Sequence, residues 1–313
     1  MRIIFIGTGE IGLPALQALT KAAGHDVLAV VTQPDKPVGR QLKLAASPIK
    51  EAAFKLHLKI YQPEKLGSAT SVAQLRYLKP DLIVVAAYGQ ILTKEVLNLP
   101  PKGCLNLHAS LLPKYRGASP IHSAIAAGEN QSGMTVMWMD EGLDTGDILL
   151  QETVRLRRRE TAETLHDTLA KMGADALLKA IALIEAGKAP RVPQDKALAT
   201  LTKKLKKEDG HIKWDRPQTA IDAHIRAMTP WPSAYVWVPQ EKDLKMLKIF
   251  TTILSHRAKG KPGEVLRVDK HGILVAAQVG GLLLREVQLE GKKRMHAAEF
   301  ARGFNLPEGL VFE

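Results

Sequence analysis

Asn106 and His108 lie at the end of the apolar run Cys104-Leu105-Asn106-Leu107-His108 and are the two residues of this chain best placed to do chemistry. Residues two apart on a strand share a face. The pair therefore sets an amide beside an imidazole, a polariser of a carbonyl beside an acceptor of a proton. Asp144 follows in the glycine-flanked turn Asp140-Glu141-Gly142-Leu143-Asp144-Thr145-Gly146. A loop carboxylate from another strand end is suited to orient the imidazole and raise its basicity. Together the three residues point to acyl transfer or hydrolysis. Taken singly, Asn-x-His more often satisfies loop backbone groups, and Asp-Thr-Gly is a common turn. The weight rests on their conjunction with Ser110-Leu111-Leu112-Pro113 and Arg116-Gly117.

The elements that must position these residues are legible in the hydrophobic pattern. Apolar runs at 2–6, 26–32, 81–87, 104–108, 133–139 and 148–154 read as strands, with helical periodicity at 13–22 after the first. Strands alternating with helical segments imply an α/β fold: a Rossmann-like, mostly parallel sheet with helices on both faces. Residues 161–186 read as one long helix, capped by Thr161 and ended by Gly187. From Trp214 the texture changes. A helix at 217–228 precedes short strands at 234–238, 244–254, 263–269, 272–276 and 281–289, with a capping helix near 296–301. Five strands in so short a stretch suggest a small C-terminal OB-like β-barrel. The expected organisation is a catalytic domain at 1–187, a basic linker at 188–207 and the barrel domain at 208–313.

Gly7-x-Gly9-x-x-Gly12 follows a strand and precedes a helix, so it matches the dinucleotide fingerprint and keeps a nicotinamide oxidoreductase among the alternatives. That fingerprint wants an acid at the tip of the second strand. Here the strand ends Val31-Thr32-Gln33-Pro34, with Asp35 beyond the proline. The competing reading is mechanical: the glycines permit a tight turn and close helix packing.

At 313 residues the chain can build two domains and a substantial core. Its one cysteine, Cys104, excludes an intrachain disulfide and a multi-cysteine metal site, and fits a reducing cytoplasm. No run approaches the ~20 apolar residues of a membrane span, and the start is too short for a signal peptide. The formal net charge is +12, and residues 188–207 alone carry 7 basic against 1 acidic residue. A basic stripe ending Lys203-Lys204-Leu205-Lys206-Lys207 is a candidate phosphate track, with a solvated spacer as the plainer reading. No long exposed apolar edge is evident, which points to a monomer.

The block from Asn106 through Arg116-Gly117 to Leu143-Asp144-Thr145-Gly146 resembles the folate-dependent formyltransferases. The resemblance implies that Asn106, His108 and Asp144 are the catalytic trio and that the formyl donor is 10-formyltetrahydrofolate. It implies a pterin cleft bordered by Ala86, Ala87, Tyr88, Gly89 and the loop from Asp140 to Asp144, with Ser110, Leu111, Leu112 and Pro113 lining the folate site. No metal and no nicotinamide are implied. In this chemistry Asn106 donates to the formyl oxygen as it becomes anionic. His108 accepts or relays the amine proton, while Asp144 holds the useful tautomer or takes the proton through water. Which of the two is the base stays open.

Members of that family differ in the amine they acylate. The second domain, the lysine stripe and the loop at 33–43 resemble the branch whose acceptor is initiator methionyl-tRNA. By that likeness Lys36, Arg40 and Lys43 meet the acceptor arm, and physically a Gly- and Pro-containing basic loop can move and meet phosphates. Lys203, Lys204, Lys206 and Lys207 would track the same backbone. Trp214, Trp231 and Trp237 read as barrel and interface core rather than base-stacking platforms. A nucleotide sugar is the competing acceptor.

Overall fold

The computed structural model describes residues 1–38, 43–240 and 243–312. Contacts divide the chain into two compact units. The first comprises residues 1–120, 131–155 and 166–203; the second comprises 121–130, 156–165 and 204–313.

The first unit is built on seven strands: β1 (Arg2–Gly7), β2 (Asp26–Val31), β3 (Ile60–Tyr61), β4 (Leu82–Ala86), β5 (Cys104–His108), β6 (Gln131–Trp138) and β7 (Ile148–Arg155). Their spatial order is β7-β6-β5-β4-β1-β2-β3. The five strands from β5 to β3 are parallel, and β6 and β7 add an antiparallel edge. Ile3, Ile4, Phe5 and Ile6 of β1 and Leu82, Ile83 and Val84 of β4 have no exposed surface. Continuous apolar runs are what a sheet covered on both faces requires. The chain winds outward from β1 to β3, then returns to place β4 on the other side of β1. Such a reversal opens a crevice at the carboxyl ends of β1 and β4, the usual ligand position in open α/β sheets.

Helices follow their local signals. α1 (Leu13–Lys21) starts with Pro14 in its first turn and buries Ala15, Leu16 and Leu19. α2 (Pro48–Lys55) and α3 (Ala69–Tyr77) are capped by Ser47 and Ser68, whose hydroxyls accept from the Lys50 and Ser71 amides. α4 (Lys94–Leu97) and α5 (Pro120–Ala126) are short, and α6 (Ala162–Glu185) is the long helix expected from the pattern, with the Thr161 hydroxyl accepting from the Thr164 amide.

The glycine crease after β1 is occupied by packing. A Cβ on Gly7 would stand 2.8 Å from the Ala86 carbonyl oxygen, and one on Gly12 would stand 3.1 Å from the Ala86 Cβ. The Gly9 N–H donates to the Ala87 carbonyl at 3.3 Å, so it is not held out for a pyrophosphate. Asp35 is engaged by Lys50 Nζ at 2.6 Å and Gln62 Nε2 at 2.8 Å, which together hold its carboxyl below the usual range. The mechanical reading of the three glycines accounts for all of these contacts.

The second unit carries α7 (Gln218–Ala227), the strands β8 (Ala234–Gln240), β9 (Asp243–Ser255), β10 (Val265–Asp269), β11 (Gly272–Ala276), β12 (Gly281–Leu289) and β13 (Met295–His296), and α8 (Ala297–Phe304). The ladder runs β8-β9-β12-β11-β10, antiparallel throughout, with β13 on β12. Among the described residues no pairing joins β8 to β10, so the hydrogen bonding is that of an antiparallel sheet. Val236, Val238, Leu247, Ile249, Ile273, Val275, Leu282, Leu284 and Val287 are wholly buried on it. Trp214 is buried and Trp237 packs edge-on to Tyr235 at 5.6 Å. Trp231 departs from the expected core role with half its surface exposed, because it sits in the turn Thr229-Pro230-Trp231-Pro232, outside the sheet. Among the described residues no helix is long and apolar enough to cross a membrane.

Candidate active site

β5 delivers Asn106 and His108 to the carboxyl edge of the sheet, and the loop after β6 returns Asp144 to the same place. His108 is buried, with 6% of its side chain exposed against 14% for Asp144. The Asn106 Nδ2 donates to Asp144 Oδ1 at 3.3 Å, and His108 Nδ1 stands 3.6 Å from Asp144 Oδ2. The three residues brought together from sequence therefore do meet.

Two backbone groups complete the arrangement. His108 Nε2 lies 2.9 Å from the Tyr115 carbonyl oxygen. A carbonyl only accepts, so Nε2 carries a proton, and in a neutral ring the lone pair is on Nδ1. Tyr115 thus faces one ring nitrogen of His108 and Asp144 the other. The Gly117 N–H donates to Asp144 Oδ2 at 2.8 Å. Asn106 spends one amide N–H on Asp144, and the second remains for a carbonyl oxygen.

The Asp144 turn is held in a left-handed conformation, φ +54°. It is pinned by Gln194, whose Nε2 donates to the carbonyl oxygens of Asp144 at 2.9 Å and Gly146 at 2.7 Å. The Gln194 Oε1 accepts from buried Arg116 through Nε at 3.1 Å and Nη2 at 2.7 Å. Arg116-Gly117 pairs in parallel with Leu201–Thr202, and Tyr115 N donates to Thr200 Oγ1 at 2.7 Å. Through Gln194, Thr200 and Leu201–Thr202, the segment 188–203 is tied to the first unit, with most of its side chains exposed. Sequence reasoning passed over Gln194, Thr200 and Thr202. Their only signal was polar residues interrupting a basic stretch.

The expected folate residues divide by role. Ala86 ends β4, Ala87 is exposed with φ +46°, and Gly89 has φ +81°. Tyr88 turns its ring into the core with Leu66, Leu92 and Val96, and burial pushes its phenol up to about 12. Its carbonyl oxygen accepts from Thr8 Oγ1 and Gln33 Nε2, so its backbone, not its side chain, shapes the crevice. Ser110 and Leu112 are buried supports: Ser110 Oγ donates to the Lys114 carbonyl at 2.7 Å, and Thr135 bridges Ser110 O and the Leu112 N–H. Leu111 and Pro113 keep partial exposure. The Asp140 carboxylate accepts from Thr145 Oγ1 and the Gly142 N–H, closing its own loop. A cleft of about 780 Å³ shares Asp140, Glu141 and Met139 with that loop, but none of Asn106, His108 or Asp144 lines it.

Of the basic residues, Lys36, Lys203, Lys204, Lys206 and Lys207 are exposed. Lys36–Val38 and Lys43–Ala45 pair as an antiparallel hairpin. Arg40 lies outside the described residues, as does the side chain of Lys43. Among the described residues no group of three His, Cys, Asp or Glu could hold a metal ion.

Comparison with known proteins bears on this geometry. A family model described as formyl transferase matches residues 1–181, and one described as formyl transferase, C-terminal domain, matches residues 204–305. The methionyl-tRNA formyltransferase of Methylacidiphilum infernorum (isolate V4) is 57% identical over 314 residues, 99% of this chain and 98% of that protein. Among solved structures, the N-formyltransferase from Helicobacter canadensis with folinic acid and dTDP-3-aminofucose gives a TM-score of 0.67 at 18% identity, over 91% of this chain and 99% of that one. HypX from Aquifex aeolicus with tetrahydrofolic acid gives 0.62 at 18% identity and covers all of this chain, which spans half the length of that one. At such identity the likeness concerns the fold alone. Both halves of the sequence match, and the chain belongs to the formyl transferase family.

Proposed function

We propose that this chain transfers the formyl group of 10-formyltetrahydrofolate to the free α-amino group of initiator methionyl-tRNA, giving formylmethionyl-tRNA for translation initiation. The observation that carries the reading is full-length likeness to a protein of that name, with the Asn106–His108–Asp144 cluster standing at the switch-point edge of the sheet. The folate supplies an activated formyl carbon. Asn106 directs its free N–H at the formyl oxygen, an interaction that strengthens as that oxygen becomes anionic. The amine loses a proton to the His108–Asp144 pair as its nitrogen bonds to carbon, and the folate nitrogen regains one as it leaves.

On this reading the folate binds against Ala86–Gly89, Leu111, Pro113 and the loop from Asp140 to Asp144. Lys36, Arg40, Lys43, Lys203, Lys204, Lys206 and Lys207 face tRNA phosphates. The working unit is a monomer in the cytoplasm.

The test is transfer of radiolabelled formyl from 10-formyltetrahydrofolate to charged initiator and elongator methionyl-tRNA at two salt concentrations. Selective, salt-sensitive labelling of the initiator is expected. Asn106→Ala, His108→Ala and Asp144→Asn should each lose at least about a hundredfold in kcat, with tRNA binding retained. Near-normal rates in those variants would refute the trio. Failure to label either tRNA, in a protein that formylates a nucleotide amino sugar, would refute the acceptor.

A further inference from the structure

Arg155, Arg157, Arg158 and Arg159 form a dense basic run that the site described above does not use. All four side chains are exposed, and among the described residues none is drawn into an ion pair or hydrogen bond. The position of Arg155 follows from sheet register. His108 stands opposite Thr135 of β6, and Thr135 stands opposite Gln151 of β7. β5 and β7 both run antiparallel to β6, so β7 continues past the level of His108 toward the same edge. Arg155 is four residues beyond Gln151, about 13 Å further out at strand rise. Arg155 thus stands on the edge of the first unit's sheet where Asn106, His108 and Asp144 gather.

The turn that follows is stiffly mounted. The Glu160 N–H donates to the Arg157 carbonyl at 3.0 Å, and the Arg157 N–H donates to Glu160 Oε2 at 3.2 Å, leaving Arg158 and Arg159 at the tip. The turn lies within the second unit, to which residues 156–165 belong, and both its flanks are held there. The Leu156 N–H donates to the Asn130 carbonyl at 2.9 Å. The Glu160 carbonyl accepts from Arg226 Nη1 at 3.0 Å, and Arg226 is itself held by Asp222, which also accepts from Thr252 Oγ1. The carboxylate of the turn, Glu160, is buried and bonded to Thr164 Oγ1, so it does not neutralise the arginines; Glu163 is the only other acid before the helix continues. A rigid backbone bearing unpaired guanidinium groups matches the planar, bidentate geometry of phosphate oxygens and pays little ordering cost on binding.

We infer that the turn Arg157–Arg159 is a docking surface for the ribose-phosphate backbone of the tRNA. The inference rests on the tRNA reading proposed above and extends its contacts beyond the lysine stripe. It predicts electrostatic contacts that set affinity and leave the chemical step alone.

The test uses the full chain with Arg157→Ser, Arg158→Ser and Arg159→Ser combined, and separately Arg158→Glu with Arg159→Glu. KM for initiator methionyl-tRNA, its dependence on salt between 50 and 200 mM, and kcat at saturating tRNA are measured, with thermal melting as the check on folding. Each phosphate contact contributes close to one unit to the slope of log affinity against log salt. The serine variant should lose about two to three units of slope and raise KM at 50 mM salt about tenfold or more, with kcat within twofold. The double glutamate variant should be weaker still. An unchanged slope and KM in a folded variant would overturn the docking surface while leaving the substrate reading in place. A parent protein with no affinity for tRNA would overturn both.

Discussion

Gln194 is the residue whose replacement separates positioning from mere folding. Its amide uses both donors and both acceptor positions, bonding the carbonyls of Asp144 and Gly146 on one side and Arg116 on the other. The turn it clamps holds Asp144 at φ +54°, a conformation that costs a non-glycine residue about 1 kcal/mol or more and must be imposed by its surroundings. Gln194→Met keeps the length and removes all four bonds. At about 1 kcal/mol for each neutral bond and about 2 kcal/mol for each to the buried guanidinium, the loss is about 6 kcal/mol before water relieves it. That is a large share of the about 5–15 kcal/mol that stabilises a domain. Gln194→Glu is the discriminating variant. It keeps and charges the acceptor for Arg116, yet aims a carboxylate at two carbonyl oxygens. Stability should hold nearer to the parent while the Asp144 turn loosens. A displacement of about 1 Å at the reacting groups costs about a hundredfold in rate. The assay is formyl transfer with kcat and KM for both substrates, beside a melting curve. We expect kcat for Gln194→Glu to fall about a hundredfold with both KM values within about threefold. A variant that melts like the parent with kcat within threefold would show that the turn holds itself.

Gly117→Ala tests the other support of Asp144. Gly117 has φ +107°, and an added Cβ would stand 2.6 Å from the Thr202 carbonyl oxygen, so the N–H that binds Asp144 Oδ2 must move. A drop in kcat of about tenfold or more with a stability loss of about 2 kcal/mol is expected; unchanged kcat would remove this N–H from the account. Cys104 gives a pH prediction: burial pushes its thiol from 9.0 up to about 12. The native state retains a proton that the unfolded chain gives up, so the stability linked to this group is full below pH 9 and is lost as pH rises from 9 toward 12. Urea midpoints should decline across that window and decline less in Cys104→Ala, and iodoacetamide at pH 8 should label the thiol only after unfolding. Rapid labelling of the folded protein would contradict the burial argument.

The parallel core was legible because β1, β2, β4 and β5 are short apolar runs that only a doubly covered sheet can hide. α6 was legible because its caps and its period agree. β3, only Ile60–Tyr61, and the pairing of Arg116-Gly117 with Leu201–Thr202 left no pattern, since a two-residue ladder has no period. Composition misled at 188–203, where counting lysines hid the glutamine and threonines that bind the site from far along the chain. In the candidate site the three side chains that the structure brings together, Asn106, His108 and Asp144, were readable from type and spacing. The group that orients His108 was not, because a backbone carbonyl has no residue signature and Tyr115 takes φ +61° without being glycine. Nor can sequence separate Leu111, which keeps surface, from Ser110 and Leu112, which support it.

The question left open by sequence, whether His108 or Asp144 takes the proton, is recast by the geometry. With Nε2–H committed to Tyr115, a neutral His108 presents a lone pair on Nδ1 toward Asp144 Oδ2 at 3.6 Å. Two acceptors facing one another do not attract, and 3.6 Å is beyond hydrogen-bond distance. A proton arriving between them converts the repulsion into an imidazolium–carboxylate pair, with Gly117 N–H and Asn106 Nδ2 already stabilising the carboxylate. On the proposed assignment the acceptor is then the pair. On the proposed assignment, the amine that places its N–H in that gap also lies beside the free N–H of Asn106. The same approach therefore positions the nitrogen for attack and the formyl oxygen for polarisation, which is why a strand-end Asn-x-His needs an aspartate turn opposite it.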